Sequence, residues 1–294
     1  MDGRFDEKMW AESNFGQNNF GDKRLTDRCV QTAQAMMRHA GRCIYGTCLG
    51  DAAECAAAYR FMRNDATDAT KVTQTHRGRT REKIERLAEE AKSQGETPTV
   101  LFLGDSSDVI FGLNRQIKNG KSICQNNAGL GFILHPNLAV NPCTGDVYGI
   151  ASLDIRDRKP APRDKDGKPL STYQRAKIDD RESKIRSDAV EQLGPPVAGV
   201  TSVCVNDRGA DIYEYFRKLR DAGYSFVVRA SQMNRVVFDP QNTGREVRLR
   251  DFAMTHSVIA TYDLEVTQTL KGKRTQRRTA RMEVRVGTIL FPPP

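Results

Sequence analysis

The sequence has 294 residues, of which 46 are Lys or Arg and 37 are Asp or Glu, giving a formal net charge of +9. This length allows one large or two ordinary domains, and a hydrophobic content of 38% is typical of a soluble globular protein. No stretch approaches the ~20 apolar residues that cross a bilayer, and no apolar signal segment follows the first residues. We therefore expect a cytoplasmic protein with no membrane partner.

The seven cysteines form no CxxC pair. In a chain of this size we expect reduced thiols rather than a disulfide framework. The sequence does bring together His39, Cys43, Cys48 and Cys55. Their spacing matches no common zinc pattern, so packing cysteines are favoured over a zinc site.

Residues 1–95 show helical periodicity and predict a small helical domain. Asp22–Ala40 carries apolar residues at helical spacing. Asp51 is the predicted N-cap of a second helix that runs to about Arg63. A third helix is predicted over Thr80–Lys92, with apolar residues on one side and charged residues mostly on the other.

The pattern changes after a breaker that contains Gly95 and Pro98. Short apolar runs then alternate with helical segments, which predicts a mixed α/β layer over residues 96–232 with antiparallel strands first. The predicted strands are Thr99–Leu103, Gly129–Val140, Val147–Ile155, Val200–Val205 and Tyr224–Ala230, and the predicted helices are Arg175–Leu193 and Ile212–Ala222. Residues 233–294 are β-rich, with predicted strands at Val236–Phe238, Glu246–Leu249, Val258–Val266 and Arg281–Phe291.

Two aspartates directly follow predicted buried strands. Asp105 comes after Val100–Gly104, and Asp207 comes after Val203–Asn206. Carboxylates at the ends of neighbouring strands can hold a hard cation such as Mg²⁺ between them, as in-line phosphoryl chemistry requires. Turn formation is the alternative explanation for either aspartate taken alone.

Basic residues recur at spacings that suit phosphate contacts. Arg24 and Arg28 are one helical turn apart, and Arg60 and Arg63 end the second predicted helix. A solvated helix face is the alternative. A denser cluster covers Lys271–Arg285, with seven basic residues against one acid. Its basic members are Lys271, Lys273, Arg274, Arg277, Arg278, Arg281 and Arg285. This density predicts a nucleic-acid footprint, with a solubilising hairpin tip as the alternative.

Seven short motifs occur in a fixed order along nearly the whole chain. They are Trp10-Ala-Glu-Ser-Asn-Phe15, Phe20-Gly-Asp-Lys-Arg24, Tyr59-Arg-Phe-Met-Arg-Asn64, Asp105-Ser-Ser, Glu182-Ser-Lys184, Val205-Asn-Asp-Arg-Gly-Ala-Asp-Ile212 and Phe226-Val-Val-Arg229. In order and spacing they resemble the cut-and-paste DDE transposases of the Tn-five type. The most specific match in the helical region is Tyr59–Asn64, which is close to that family's Tyr-Arg-Phe-x-Arg-Asn.

The resemblance implies an α+β fold. It comprises a helical DNA-binding domain (residues 1–95), an RNase-H-like mixed α/β core (96–232) and a β-rich insertion (233–294), with the core incomplete at the C-terminus. Asp105 and Asp207 match the first two carboxylates of the catalytic triad and would bind Mg²⁺, with Mn²⁺ as the alternative ion. The expected DNA contacts are Arg24, Arg28, Arg60, Arg63, Arg229, Lys271, Lys273, Arg274, Arg277 and Arg278. The implied partners are transposon-end and target double-stranded DNA and a second copy in a homodimer, so we expect association with the bacterial nucleoid.

Two departures from the family pattern affect the expected activity. Leu25 stands where a second Arg is usual. The family's third carboxylate is a Glu within Tyr-x-x-Arg-x-x-x-Glu, which occurs nowhere in this sequence, and Glu182 matches a different family position. We therefore expect a chain truncated before this Glu, either as a gene product or as a fragment, and inactive in strand cleavage. The alternatives are a non-catalytic DNA-binding remnant or regulator of transposition and, less favoured, a metal-dependent nuclease unrelated to transposition.

Overall fold

A computed structural model describes most of the chain in two compact units. The described residues are 6–48, 51–111, 130–157, 163–170, 174, 184–241, 245–268 and 276–292. One unit comprises Met1–Ala210 with Glu214–Val228, and the other comprises Asp211–Tyr213 with Arg229–Pro294. The boundary predicted at residue 95 therefore falls inside the first unit. Within the described ranges, no helix is both long and apolar enough to cross a membrane.

The first unit begins with helices, several of which start at an aspartate cap. The helices are α1 (Glu7–Phe15), α2 (Lys23–Arg38), α3 (Ile44–Thr47), α4 (Ala52–Met62), α5 (Ala69–Val72) and α6 (Gln74–Ser93). Asp22 accepts a hydrogen bond from the Arg24 amide at the start of α2, and Asp51 caps α4 in the same way. α6 begins six residues before the predicted Thr80, so the third helix is longer than its apolar pattern indicated.

Phe20, Cys29 and Phe61 form the buried core of the N-terminal helices. The Phe20 and Phe61 rings meet edge to face, with centroids 5.6 Å apart. Leu25 packs against this core together with Phe15 and Val72, all three partly buried. The apolar residue at position 25 is therefore used for packing among the N-terminal helices.

A six-stranded mixed sheet follows in the same unit. Its strands are β1 (Thr99–Gly104), β2 (Ser107–Phe111), β3 (Leu130–Val140), β4 (Val147–Arg156), β5 (Thr201–Asn206) and β6 (Ser225–Val228). β3 pairs antiparallel with β1, β2 and β4, whereas β1, β5 and β6 are parallel neighbours. The helices of this part are α7 (Ile185–Leu193) and α8 (Tyr213–Asp221). N-terminal helices and a mixed sheet confirm the predicted α+β class.

Every second residue of β1 and of β5 is buried. Val100 and Phe102 in β1 and Cys204 in β5 are buried members of the core. α6 is tied to β4 because the Ile150 amide donates to His76 Nε2 at 3.0 Å. The helical region and the sheet therefore share contacts within one unit.

The second unit contains two small antiparallel sheets. Its elements are β7 (Val236–Phe238), β8 (Glu246–Arg248), α9 (Leu249–Thr255), β9 (Val258–Gln268) and β10 (Gln276–Arg285). β7 pairs with β8, and β9 pairs with β10. Asp211 accepts hydrogen bonds from the amides of Ser231 and Gln232 and lies 2.6 Å from Arg235 Nη1. Burial alone would raise the pKa of Asp211, but these bonds and Arg235 lower it.

Candidate functional site

The register of two parallel strands places Asp105 and Asp207 next to each other in the sheet. Gly104, the last residue of β1, lies opposite Asn206, the last residue of β5. Asp105 directly follows Gly104, Asp207 directly follows Asn206, and both aspartates are exposed. Because neighbouring strands are ~4.8 Å apart, the two carboxylates leave the same end of the sheet as neighbours.

Asp207 is held by a backbone amide and an arginine. Its Oδ1 accepts a hydrogen bond from the Gly209 amide at 2.9 Å and lies 3.3 Å from Arg186 Nη2. Arg186 projects from the first turn of α7, and its side chain is only 12% exposed. A Cβ on residue 209 would lie 2.6 Å from Arg186 Nη2, so this approach of the guanidinium requires glycine there.

Asp105 is held by the residue that follows it. The Ser106 amide donates to Asp105 Oδ1 at 2.8 Å, and Ser106 Oγ lies 2.9 Å from Nδ1 of His135, a buried residue of β3. Burial of the ring, together with the nearby charge of Arg186, lowers the pKa of His135 to about 4. His135 is therefore neutral at physiological pH, and in this form its Nδ1 is hydrogen-bonded to Ser106 Oγ.

Buried amides lie directly beneath the two aspartates. Asn137 Nδ2 donates to Ser152 Oγ at 2.9 Å, and Asn206 Nδ2 donates to the Tyr215 hydroxyl at 3.0 Å. Both asparagines flank Gly104, where a Cβ would lie 2.5 Å from one Oδ1 and 2.7 Å from the other. Sequence reasoning missed this support. The available signal was an asparagine in each of two mainly apolar strands, at positions 137 and 206.

The described residues fit a hard cation in part. Two carboxylates that project together supply oxygen donors of the kind that Mg²⁺ prefers. Among the described residues, no group of three or more His, Cys, Asp or Glu side chains is arranged to hold a metal ion. Glu182 lies outside the described residues. The structure therefore brings together the two predicted metal ligands and describes no third.

The two predicted DNA contacts of α2 differ in their surroundings. The Arg24 side chain is 90% exposed and pairs with the helix cap Asp22 at 2.8 Å. This pairing lowers the pKa of Asp22. Arg28 is instead hydrogen-bonded to Glu54 of α4 at 2.6 Å, and only 26% of its side chain is exposed. Arg24 is thus the more accessible of the two to a phosphate.

The other predicted basic contacts are divided between the two units. Arg60 and Arg63 are exposed at the end of α4, and the Arg63 guanidinium lies 5.9 Å from the centroid of the Tyr59 ring. Of the contacts predicted in the second unit, Arg229, Arg277 and Arg278 are exposed. Lys271, Lys273 and Arg274 lie outside the described residues.

A comparison with known proteins identifies the N-terminal helices. Residues 7–67 match the transposase DNA-binding family. The chain is similar to transposases in this region. The match begins with α1 and ends between α4 and α5, so it includes Arg24, Arg28, Arg60 and Arg63. It supports a DNA-binding transposase, with DNA as the partner of this region.

Proposed function

We propose that the protein is a DDE transposase of the Tn-five type, a kind of enzyme that binds transposon ends and carries out metal-dependent strand cleavage and strand transfer. Cleavage would require a third carboxylate beside Asp105 and Asp207. The proposal depends chiefly on one observation. The parallel register of Gly104 with Asn206 makes Asp105 and Asp207 neighbours at one end of the sheet. They lie in a unit whose residues 7–67 match a transposase DNA-binding family.

The topology of the sheet supports an RNase-H-like core. In chain order, the antiparallel strands β3 and β4 come before the parallel strands β5 and β6. In the sheet, β1 lies between β3 and β5. The carboxylates follow β1 and β5, the two central parallel strands. A ligand placed at the carboxyl ends of such strands meets side chains from both of them.

The chain's own residues have defined roles in this proposal. Asp105 and Asp207 would hold Mg²⁺, while the amides of Ser106 and Gly209 orient their carboxylates. Bound Mg²⁺ would activate water or a 3′-hydroxyl and stabilise the leaving oxygen, so both reaction steps can use one site. Basic residues such as Arg24 would neutralise phosphates of the transposon end, and a second copy would hold the other end.

The second candidate is a non-catalytic DNA-binding protein that regulates transposition. Its support is the absence, among the described residues, of a third ligand beside Asp105 and Asp207. Two carboxylates suffice for one cation, but a second cation beside the first needs a further anionic ligand. This protein would bind transposon ends without nicking them.

Mn²⁺ binding tests the proposed site without relying on activity. Titration of the 294-residue chain, followed by the electron paramagnetic resonance signal of free Mn²⁺, should show a site that is lost in both Asp105→Asn and Asp207→Asn. Asp221→Asn is the matched control, because Asp221 is an exposed aspartate at the end of α8. Binding that persists in both site variants would refute the metal assignment.

Nicking of a transposon-end duplex separates the two candidates. A 3′-hydroxyl produced with Mg²⁺ and lost in Asp105→Asn supports the transposase. Binding of the duplex without any nick supports the regulator. Failure to bind DNA, with the fold retained, would refute both.

A further inference from the structure

The contact between Arg186 and Asp207 places a fixed positive charge at the proposed metal site. We propose that Arg186 is an exchangeable counter-ion of Asp207. The guanidinium neutralises this carboxylate while the site holds no metal, and it gives the carboxylate up when a divalent cation binds. The inference rests on the proposed function, because it concerns the same pair of carboxylates.

The contact is weak for a buried arginine, and this makes exchange feasible. Arg186 meets Asp207 through one nitrogen at 3.3 Å, longer than the 2.7–2.9 Å typical of charge-assisted hydrogen bonds. Its Nε is buried and has no hydrogen-bond partner among the described residues. Arg156 shows the contrasting arrangement, since it bonds Asp154 through Nε and Nη2 and also contacts Asp188. Arg186 therefore has fewer bonds to lose when it moves away from its carboxylate.

Arg186 and a bound metal ion are both positively charged, so they compete for the Asp207 carboxylate. A guanidinium cannot be deprotonated in a protein, so its charge is present at every working pH. Its side chain is largely withdrawn from solvent, which weakens the screening of its repulsion on a second cation at the same carboxylate. The guanidinium of Arg186 can approach Asp207 this closely because Gly209 has no side chain in the space that the guanidinium occupies. Removing the charge should therefore strengthen metal binding, whereas loss of a merely structural contact would weaken it or leave it unchanged.

Mn²⁺ titration of four variants of the 294-residue chain tests the proposal. Arg186→Met removes the charge and keeps much of the volume, and it should lower the Kd for Mn²⁺ about 3- to 10-fold, as expected for a partly exposed charge pair. Arg186→Lys keeps the charge and should stay within about twofold of the wild type. In the Asp207→Asn background, Arg186→Met should not restore Mn²⁺ binding, because the carboxylate that the guanidinium neutralises is absent. Lys218→Met is the matched control, because it breaks the ion pair of Lys218 with Glu191 on α7 and should leave Kd unchanged.

Two results would overturn the inference. If Arg186→Met binds Mn²⁺ as the wild type does, or more weakly, at an unchanged melting temperature, Arg186 is not an exchangeable counter-ion, and the proposed metal site still stands. If neither the wild type nor Arg186→Met binds Mn²⁺ in a manner that depends on Asp105, the proposed metal site falls as well. Should Arg186→Met not fold, Arg186→Gln removes the same charge and keeps hydrogen-bonding capacity, with the same expected decrease in Kd.

Discussion

We expect Gly104→Ala to destabilise the protein, because the added methyl group has no space at the end of β1. An ideal Cβ would lie 2.5 Å from Asn137 Oδ1 and 2.7 Å from Asn206 Oδ1, well inside van der Waals contact. Both asparagines are buried, and each donates a hydrogen bond through its Nδ2. Neither amide can turn away from the methyl group without losing that bond.

The size of the effect follows from two opposing contributions. Inserting a methyl group into a well-packed site costs about 1–3 kcal/mol. Alanine is otherwise better than glycine inside a strand by about 0.5–1 kcal/mol, because glycine loses more backbone entropy on folding. The net loss in the free energy of unfolding at Gly104 is therefore about 1–2 kcal/mol. For a chain of this size it corresponds to a melting temperature lower by ~2–8 °C.

Urea denaturation followed by circular dichroism measures this difference, with Gly78→Ala as the control. Gly78 lies within α6, and a Cβ there would meet no atom within 4 Å. Gly78→Ala should therefore stabilise the protein by about 0.5–1 kcal/mol through helix propensity alone. Equal or greater stability of Gly104→Ala would falsify the packing argument, because it would mean that Asn137 and Asn206 are free to move aside.

Two further predictions concern DNA binding and pH. Arg24→Ala should reduce the salt dependence of DNA binding by about 0.9 in the slope of log K against log[salt]. Arg28→Ala should change the slope less, because the Arg28 side chain is only 26% exposed, against 90% for Arg24. Equal slopes of the two variants in a salt titration would refute this order. Burial, and then the charge of Lys83, lower the pKa of His76 below 6.5, so the folded state favours the neutral ring and loses stability as pH falls below 6.5. His76→Gln keeps a hydrogen-bond acceptor but does not titrate, so this variant should lose less stability than the wild type between pH 8 and pH 5, as measured by urea denaturation. Equal losses of stability in the two proteins would contradict the lowered pKa of His76.

Local sequence signals predicted the elements that carry the site. Apolar runs bounded by breakers located β1 and β5 to within one residue, and Asp51 was predicted as the cap of α4. These signals are local, because a buried strand needs consecutive apolar residues and a cap needs one acceptor before the first turn. The position of an aspartate after each strand was readable for the same reason.

Elements with little burial were predicted poorly. β10 begins at Gln276, five residues before the predicted Arg281, and its residues from Arg277 to Thr279 are exposed. A strand that is exposed on both faces has no apolar alternation to reveal it. α1 was not predicted, and only Ala11 and Asn14 of its residues are buried.

Contacts between distant residues could not be predicted from local patterns. Arg28 and Glu54 are 26 residues apart, and Ser106 and His135 are 29 apart. In the sequence, Arg24 and Arg28 look like equivalent phosphate contacts, since residues at i and i+4 share a helix face. The packing of α2 against α4 brings Glu54 to Arg28, and no spacing within α2 indicates this.

The spacing of the two aspartates depends on strand register rather than on contacts between their side chains. Asp105 is oriented by Ser106, and Asp207 is oriented by Gly209 and Arg186, so each carboxylate has its own support. The pairing of β1 with β5 sets the separation of the two supports. Because successive residues of a strand point to opposite faces, a slip of one residue in this pairing would separate the carboxylates and expose the buried side chains of both strands. The apolar core that fixes this register is therefore what sets the geometry of the proposed metal site.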